Sequence, residues 1–364
     1  MLRLGAIADD VTGATDLCAT LVREGMRAVQ VIGVPPAELE LPDTDAVVVA
    51  LKSRTAPVGE AVRDSVEALR RLRDRGAERV FLKVCSTFDS TPEGNIGPGA
   101  DALLDELGAD RTVVTPAYPA NGRTVYKGHL FVGDLLLSES SMRNHPLTPM
   151  TDSNLVRVLQ RQTDRPVGLL GTPDVTYAIA DALTDDDLRA LGARFAGLPL
   201  LVGGAGLALG LPRAYGFEGR AAVAPRVDGP AIVLAGSLSE ATREQVRRMA
   251  ERYPATTVDD FDGYRGETIL VHGGEPGGRL PHEVEAALAT VARHAVDAGA
   301  RRVVVAGGET SGAVLQALGV RALAVGEEIA PGVPWMTTLE EPRLSFALKS
   351  GNFGGPDFFL EALD

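Results

Sequence analysis

The sequence predicts an α/β protein made of two α/β domains with largely parallel sheets and an interdomain cleft. Three observations predict it. Short apolar runs alternate with stretches of helical spacing, the mark of βαβ units. The alternation occurs twice, on either side of a weakly periodic stretch at 213–230. The length of 364 residues, 45% of them hydrophobic and 23% charged, suits two globular domains.

Taken in order, residues 2–8 read as a strand, 15–23 as a helix, and 28–33 and 46–51 as strands. Residues 58–75 carry apolar side chains at 62, 66, 69 and 72, one face of a helix. A strand at 79–84, a polar loop, a helix at 99–107 and a strand at 113–114 follow. The segment 116–150, rich in Pro, Gly, Asn and His, breaks the rhythm with long connections and a hairpin near 125–132, and offers a surface for a homodimer. A helix at 154–162 precedes the soft boundary. Beyond it, strands are expected at 231–235, 268–271, 302–306, 322–325 and 344–348. Helices are expected at 239–252, 281–298, 311–318 and after Pro356. These divide the chain into a substrate domain, 1–225, and a nucleotide-binding domain, 229–364.

Composition removes several classes of function. The formal charge is −13, with 36 basic against 49 acidic residues, and the pI is near 5.0. Nucleic-acid binding, which needs clustered Lys and Arg to release counterions, is not expected. The longest weakly polar run, 198–212, holds four glycines and is too short to span a bilayer. Asp9 and Asp10 stand where an export signal would need an apolar core, so a cytoplasmic location is expected. Cys18 and Cys85 are too few for a disulfide framework.

Chemistry is expected at strand ends, because ligands of open α/β sheets lie beyond the carboxyl ends of the strands. Asp9 and Asp10 stand at the first such end, in Ala8-Asp9-Asp10-Val11-Thr12-Gly13. One carboxylate there could act as general base toward a hydroxyl or help hold a metal ion, and one could cap the next helix. The string Lys83-Val84-Cys85-Ser86-Thr87-Phe88-Asp89-Ser90-Thr91 sets hydroxyls, a lysine and an acid before a glycine-bearing helix start, which suits a carboxylate ligand. Cys85 itself reads as a small buried hydrophobe. Three further turns follow strands in the second domain: Gly236-Ser237-Leu238-Ser239, Gly307-Gly308-Glu309-Thr310-Ser311 and Lys349-Ser350-Gly351. Together they suggest a nucleotide phosphate cradle, although none has the Walker A spacing and Ser237…Glu240 also fits a capping box. Lysine is scarce in this chain, at positions 52, 83, 127 and 349 only, against 32 arginines. The lysines kept beside these stations therefore suit compact contacts to phosphate or carboxylate. The five histidines lack zinc-ligand spacing. The turn at 204–210 resembles a dinucleotide fingerprint whose last glycine comes one residue late.

These stations resemble one family. Ile7-Ala8-Asp9-Asp10-Val11-Thr12-Gly13-Ala14, Lys52-Ser53-Arg54, the 83–91 string, Gly94-Asn95-Ile96-Gly97 and Gly122-Arg123-Thr124-Val125 look like the four-carbon acid sugar kinases. So do Gly128-His129-Leu130-Phe131-Val132, the 306–312 turn and Lys349-Ser350-Gly351-Asn352-Phe353-Gly354. The Cys-Ser-Thr-Phe-Asp-Ser-Thr string and His145-Pro146-Leu147-Thr148-Pro149-Met150-Thr151-Asp152 resemble its 3-oxo-tetronate kinase members. The resemblance implies phosphorylation of a 3-oxo four-carbon sugar acid at its 4-hydroxyl, with ATP and Mg²⁺. Asp9 or Asp10 would be the base. Thr12, Arg54, Lys83, Ser86, Thr87, Asp89 and Ser90 would hold the acid. Ser237, Ser239, Gly307, Gly308, Glu309, Thr310, Ser311, Lys349 and Gly351 would hold ATP, with the site between the domains and closing on binding. Leu238 stands where the family usually has a cysteine. The rival readings are a nicotinamide-dependent oxidoreductase using the 204–210 turn, and a non-catalytic sugar-acid sensor.

Overall fold

A computed structural model describes residues 2–145, 147–274 and 280–364. Of the quoted motifs, only Pro146 lies outside the described residues. The chain forms two compact units. The first comprises the residues up to Ala28 together with Gly33–Ala221; the second comprises Val29–Ile32 and Ala222–Asp364.

The first unit opens with β1 (Leu4–Ala8) and α1 (Val11–Arg23). The chain then passes through β2 (Ala28–Ile32) and returns as β3 (Ala46–Ala50), α2 (Val58–Asp74), β4 (Arg79–Lys83), α3 (Ile96–Leu107) and β5 (Thr112–Thr115). A small antiparallel sheet follows, made of β6 (Arg123–Tyr126), β7 (His129–Val132) and β8 (Leu135–Leu136). Next come α4 (Leu155–Gln160), β9 (Val167–Leu169), β10 (Tyr177–Ile179), α5 (Asp185–Phe195), β11 (Leu200–Gly203) and α6 (Leu211–Ala214). The main sheet runs β3-β1-β4-β11-β5-β10-β9, parallel throughout. Its register aligns the strand ends: Ala50 with Ala8, Ala8 with Lys83, Lys83 with Gly203, and Gly203 with Thr115. Residues following these positions therefore gather along one carboxyl edge.

β1 and β3 are buried at every position, as expected of continuous apolar runs in a parallel sheet. α2 buries Ala61, Ser65, Ala68, Leu69 and Leu72, a stripe at helical spacing, and leaves its Arg and Glu to solvent. α1 begins four residues before the periodicity indicates. Asp10 caps it, and Val11 to Val22 are buried all round, so no amphipathic stripe marks its first turn. α5, β9, β10 and β11 were not expected. The strands are only three or four residues long, too short for a period to show. α5 starts at a capping box in which Thr184 and Asp187 exchange hydrogen bonds.

The second unit contains β12 (Ala231–Ala235), α7 (Glu240–Ala250), β13 (Ala255–Thr257), β14 (Ile269–His272), α8 (Pro281–Asp297), β15 (Arg302–Ala306) and α9 (Gly308–Ala317). It closes with β16 (Ala322–Ala330), β17 (Val333–Thr338), β18 (Ser345–Lys349) and α10 (Phe358–Glu361). Strands β13-β14-β12-β15-β18 are parallel. β17 and β16 then add on antiparallel, and β16 takes Val29, Gln30 and Val31 of β2 as its outer neighbour. β17 is hidden in the sequence by Pro334, which pairs with Glu328 where the β16–β17 ladder slips register. The core gathers Val233, Met249, Leu270, Val304, Trp335, Phe358 and Phe359. No helix among the described residues is long and apolar enough to cross a membrane.

Thr184→Ala removes one half of the α5 capping box. It should lower stability by about 1 kcal/mol, read as an earlier urea unfolding transition.

Candidate active site

The edge of the first unit is organised by one guanidinium. The Asp9 N–H donates to the Lys83 carbonyl (3.1 Å), and the Asp9 carbonyl accepts from the N–H groups of Ser53 (3.1 Å) and Arg54 (3.2 Å). That exchange folds the 52–54 turn over the end of β1 and delivers Arg54. Its Nε and Nη2 each donate to an Asp9 oxygen at 2.9 Å, and Nη2 also lies 3.0 Å from Asp10 Oδ1. Nη1 stands 4.0 Å from Asp89 Oδ2.

The two acids divide their work. Asp10 caps α1 by accepting from the Gly13 N–H (2.8 Å) and takes the Thr12 hydroxyl on its other oxygen (3.0 Å). Burial pulls the Asp10 carboxyl up, but Arg54, Lys83 and these hydrogen bonds outweigh it and hold it below the ordinary value. For Asp9 burial wins over Arg54, and the Asp10 charge adds to it, so its carboxyl lies above the ordinary value. A Cβ at residue 13 would strike the Asp10 carboxylate and come 3.1 Å from Lys83 Nζ, so glycine is required there. Lys83 is buried, and its ammonium donates to the Val84 carbonyl (2.9 Å).

The 85–97 loop supplies the other wall. Phe88, fully buried, holds φ 54°, a left-handed conformation that costs a non-glycine residue roughly 1–2 kcal/mol. The Thr87 hydroxyl donates to Asp89 (2.5 Å) and lies 3.0 Å from Cys85 Sγ. Burial, with Asp89 nearby, pushes the Cys85 thiol up to about 11, so it stays protonated near neutrality. Gln162 pins the loop, with Nε2 donating to Ser90 Oγ (2.7 Å) and the Thr91 carbonyl (2.8 Å) while Oε1 accepts from the Gly97 N–H (3.0 Å). Asn95 donates to the carbonyls of Ser53 (2.7 Å) and Ala56 (2.8 Å). That turns its Oδ1, buried and without a hydrogen-bond donor, into an oriented acceptor.

One pocket is lined by Asp9, Ser53, Arg54, Asp89, Ser90 and Asn95 against Leu82, Val84 and Ile96. Of the residues expected to meet the acid, it unites Arg54, Asp89 and Ser90 with the candidate base Asp9. Asp10, Thr12, Lys83, Ser86 and Thr87 lie beside it without lining it. Ser53 and Asn95 as lining residues and Gln162 as the loop's anchor were not expected from the sequence. Nor was Asp16, whose carboxylate accepts from Tyr118 Oη (3.1 Å) and is raised by burial to about 6.

In the second unit the three expected turns stand side by side, because Ala235, Ala306 and Lys349 are in register at the ends of adjacent strands. The N–H groups of Gly236 and Ser237 donate to the Ala306 carbonyl, and that of Gly307 to the Lys349 carbonyl. Gly307, at φ 124°, turns the chain into α9, whose first turn holds Gly308, Glu309 and Thr310. The Ser311 hydroxyl is spent on the Gly307 carbonyl (2.7 Å). The Gly351 carbonyl collects three donors: Ser239 Oγ (2.7 Å), Thr242 Oγ1 (2.8 Å) and Lys349 Nζ (3.0 Å). Gln245 Nε2 reaches the carbonyls of Phe353, Gly354 and Gly355 at 2.9–3.2 Å. The 351–355 loop is thus fastened to α7 by its carbonyls. The Lys349 side chain is fully buried, 5.9 Å from the ring centres of both Phe358 and Phe359, and burial lowers its ammonium to about 7.

Comparison with known proteins adds the following. Residues 4–211 match a sugar-binding N-terminal domain and 271–359 a nucleotide-binding C-terminal domain. The chain is 52% identical to the 3-oxo-tetronate kinase of Cupriavidus necator, over 99% of this chain and 96% of that one. It is 50% identical to the 3-oxo-tetronate kinase of Burkholderia multivorans with the same coverage. A crystal structure of a Salmonella typhimurium LT2 protein superposes with a TM-score of 0.85 at 38% identity, covering 100% of this chain and 98% of that one. The alignment to the Cupriavidus protein spans 415 positions against 364 residues here, so the relative carries segments this chain lacks.

An ammonium lowered by burial adds stability fully present above its unfolded value, near 10.5, and lost as pH falls to about 7. The stability advantage of the parent over Lys349→Met should therefore grow as pH rises from 7 to 9, as paired urea titrations would read. A constant difference would mean that the ammonium keeps its ordinary affinity for the proton.

Proposed function

The chain belongs to the four-carbon acid sugar kinase family, and on that premise we propose that it moves the terminal phosphoryl group of ATP to the 4-hydroxyl of a 3-oxo-tetronate. The products are the 4-phosphate and ADP. The observation that carries the assignment of roles is the split between two adjacent carboxyls, one raised and facing a pocket, the other lowered and capping a helix.

Asp9 is the general base. It lines the pocket, and burial makes it more basic than a free carboxylate, which suits it to accept the hydroxyl proton as the O–P bond forms. Arg54 holds the Asp9 carboxylate in one orientation through both of its oxygens. Asn95 Oδ1 accepts from a substrate hydroxyl, and Ser53 and Ser90 offer further polar contacts. Thr12 and Lys83 position Asp10 and the start of α1. Ser86, Thr87 and Asp89 shape the far side of the acid site.

The nucleotide is received by the second unit. The phosphates sit at the Gly236–Ser239, Gly307–Ser311 and Gly351 turns, against the N-terminus of α9, whose first-turn N–H groups have no acceptor within the helix. Lys349 and Ser239 hold the Gly351 loop in place. Mg²⁺ neutralises phosphate charge when bound. No cluster of three metal-ligating side chains exists among the described residues. The 204–210 turn does not offer a nicotinamide site. Its 205–210 stretch is a wholly buried 3-10 helix, and a Cβ on Gly206 would meet the Ala117 carbonyl at 2.6 Å.

Purified protein with ATP, Mg²⁺ and 3-oxo-tetronates should release ADP above the substrate-free rate; no release would refute the assignment. Asp9→Asn should lower kcat by roughly 10²–10⁴-fold while the KM for ATP changes less than threefold. Asp10→Asn should act more through stability, read as a lower urea midpoint.

A further inference from the structure

The acid pocket is short of free positive charge. Three carboxylates, Asp9, Asp10 and Asp89, surround the single guanidinium of Arg54. The other buried cation, Lys83, donates to a backbone carbonyl on the α1 side. A substrate carboxylate placed against this group would face more anions than unspent cations, and at low dielectric such repulsion is costly.

The turn after β5 holds what the pocket lacks. Asn121 Nδ2 and Arg123 Nε are both buried without a hydrogen-bond partner. Arg123 Nη1 donates to the Asn121 carbonyl, and Arg123 forms no ion pair among the described residues. The turn cannot readily relax to satisfy these donors. Tyr118 and Arg123 exchange backbone hydrogen bonds at 2.7 and 3.0 Å, and Asn121 N–H donates to the Tyr118 carbonyl (2.9 Å). Gly122, at φ 70°, accepts from the Gly133 N–H (2.8 Å). Buried donors left unpaired cost free energy, so a rigid turn holding two of them calls for an acceptor. A guanidinium edge beside an amide N–H suits a planar oxyanion.

The turn stands on the same edge as Asp9. Thr115 is three strand steps from Ala8, about 14 Å at normal strand spacing. The chain then returns toward α1, where Tyr118 Oη donates to Asp16 (3.1 Å), six residues beyond the Asp10 cap. We propose that the Tyr118–Arg123 turn is the receptor for the carboxylate of the acid sugar, with Arg123 and Asn121 donating to its oxygens. This rests on the reading that the first unit binds a sugar acid. It relieves Arg54 of that task and leaves it to orient Asp9.

The test is nucleotide-free calorimetric titration of the full chain with four-carbon sugar acids, their neutral tetritols and inorganic phosphate. Arg123→Gln and Asn121→Ala should each weaken acid binding at least tenfold and erase the preference for acid over tetritol. The affinity for ATP, titrated separately, should stay within twofold, and Arg123→Lys should recover part of the loss. Unchanged acid affinity in folded Asn121→Ala and Arg123→Gln would overturn the proposal. So would loss of phosphate binding with acid binding intact, which would make the turn a phosphate site. If Arg123→Gln fails to fold, Asn121→Ala and Arg123→Lys decide. Because no turnover is read, a parent protein that binds acids but releases no ADP would sink the kinase reading and leave this one standing.

Discussion

The first unit depends on the Arg54 guanidinium and the carboxylates gathered round it. Burying an acid is unfavourable unless its charge is met, and three are met here by one planar cation. The arrangement is asymmetric in its consequences. Without Arg54, Asp9 and Asp10 would stand side by side in a dry strand end, each penalising the other's charge. With it, one carboxyl is free to be basic while its neighbour stays ionised and starts a helix. The same contact closes the 52–54 turn and gives Asn95 the carbonyls that orient its amide.

In the second unit it is the backbone of one loop that is held, through the carbonyl side of its peptides. Ser239, Thr242, Gln245 and Lys349 draw in the carbonyls of Gly351, Phe353, Gly354 and Gly355. Lysine serves this purpose because a compact ammonium at the end of a flexible stem fits beneath a loop, between two phenylalanine rings, where a planar guanidinium would not. A chain that otherwise uses arginine almost exclusively keeps lysine at this position.

Much of this was legible in the sequence. β1, β3, β12 and β15 announced themselves as uninterrupted apolar runs, because parallel strands covered on both faces need no polar side. The acids at 9 and 10 and the glycine turns at 236, 307 and 351 were legible because they follow such runs. Arg54 was named by resemblance alone, as a contact to the acid; its ion pair with Asp9 was not legible, since a pair reaching across 45 positions leaves no local pattern. Gln162 and Asn95 gave no signal of their orienting work, which depends on carbonyls brought near by folding. The division between Asp9 and Asp10 was likewise invisible, because adjacent identical residues differ only in what surrounds them. β17 escaped because its proline argues against a strand unless the irregular ladder opposite is known.

One feature of the topology bears on how the chain can be handled. Residues 29–32, though early in the polypeptide, lie along β16 as the outermost strand of the C-terminal unit. A fragment starting at residue 222 would include every other strand of that sheet and still leave the backbone of β16 bare. Exposed strand borders recruit whatever extended peptide is nearby, including the same segment of another molecule. Dissecting the gene at the apparent linker would therefore favour aggregates or strand exchange, whereas grafting residues 28–33 back through a short tether would return to β16 the strand it pairs with.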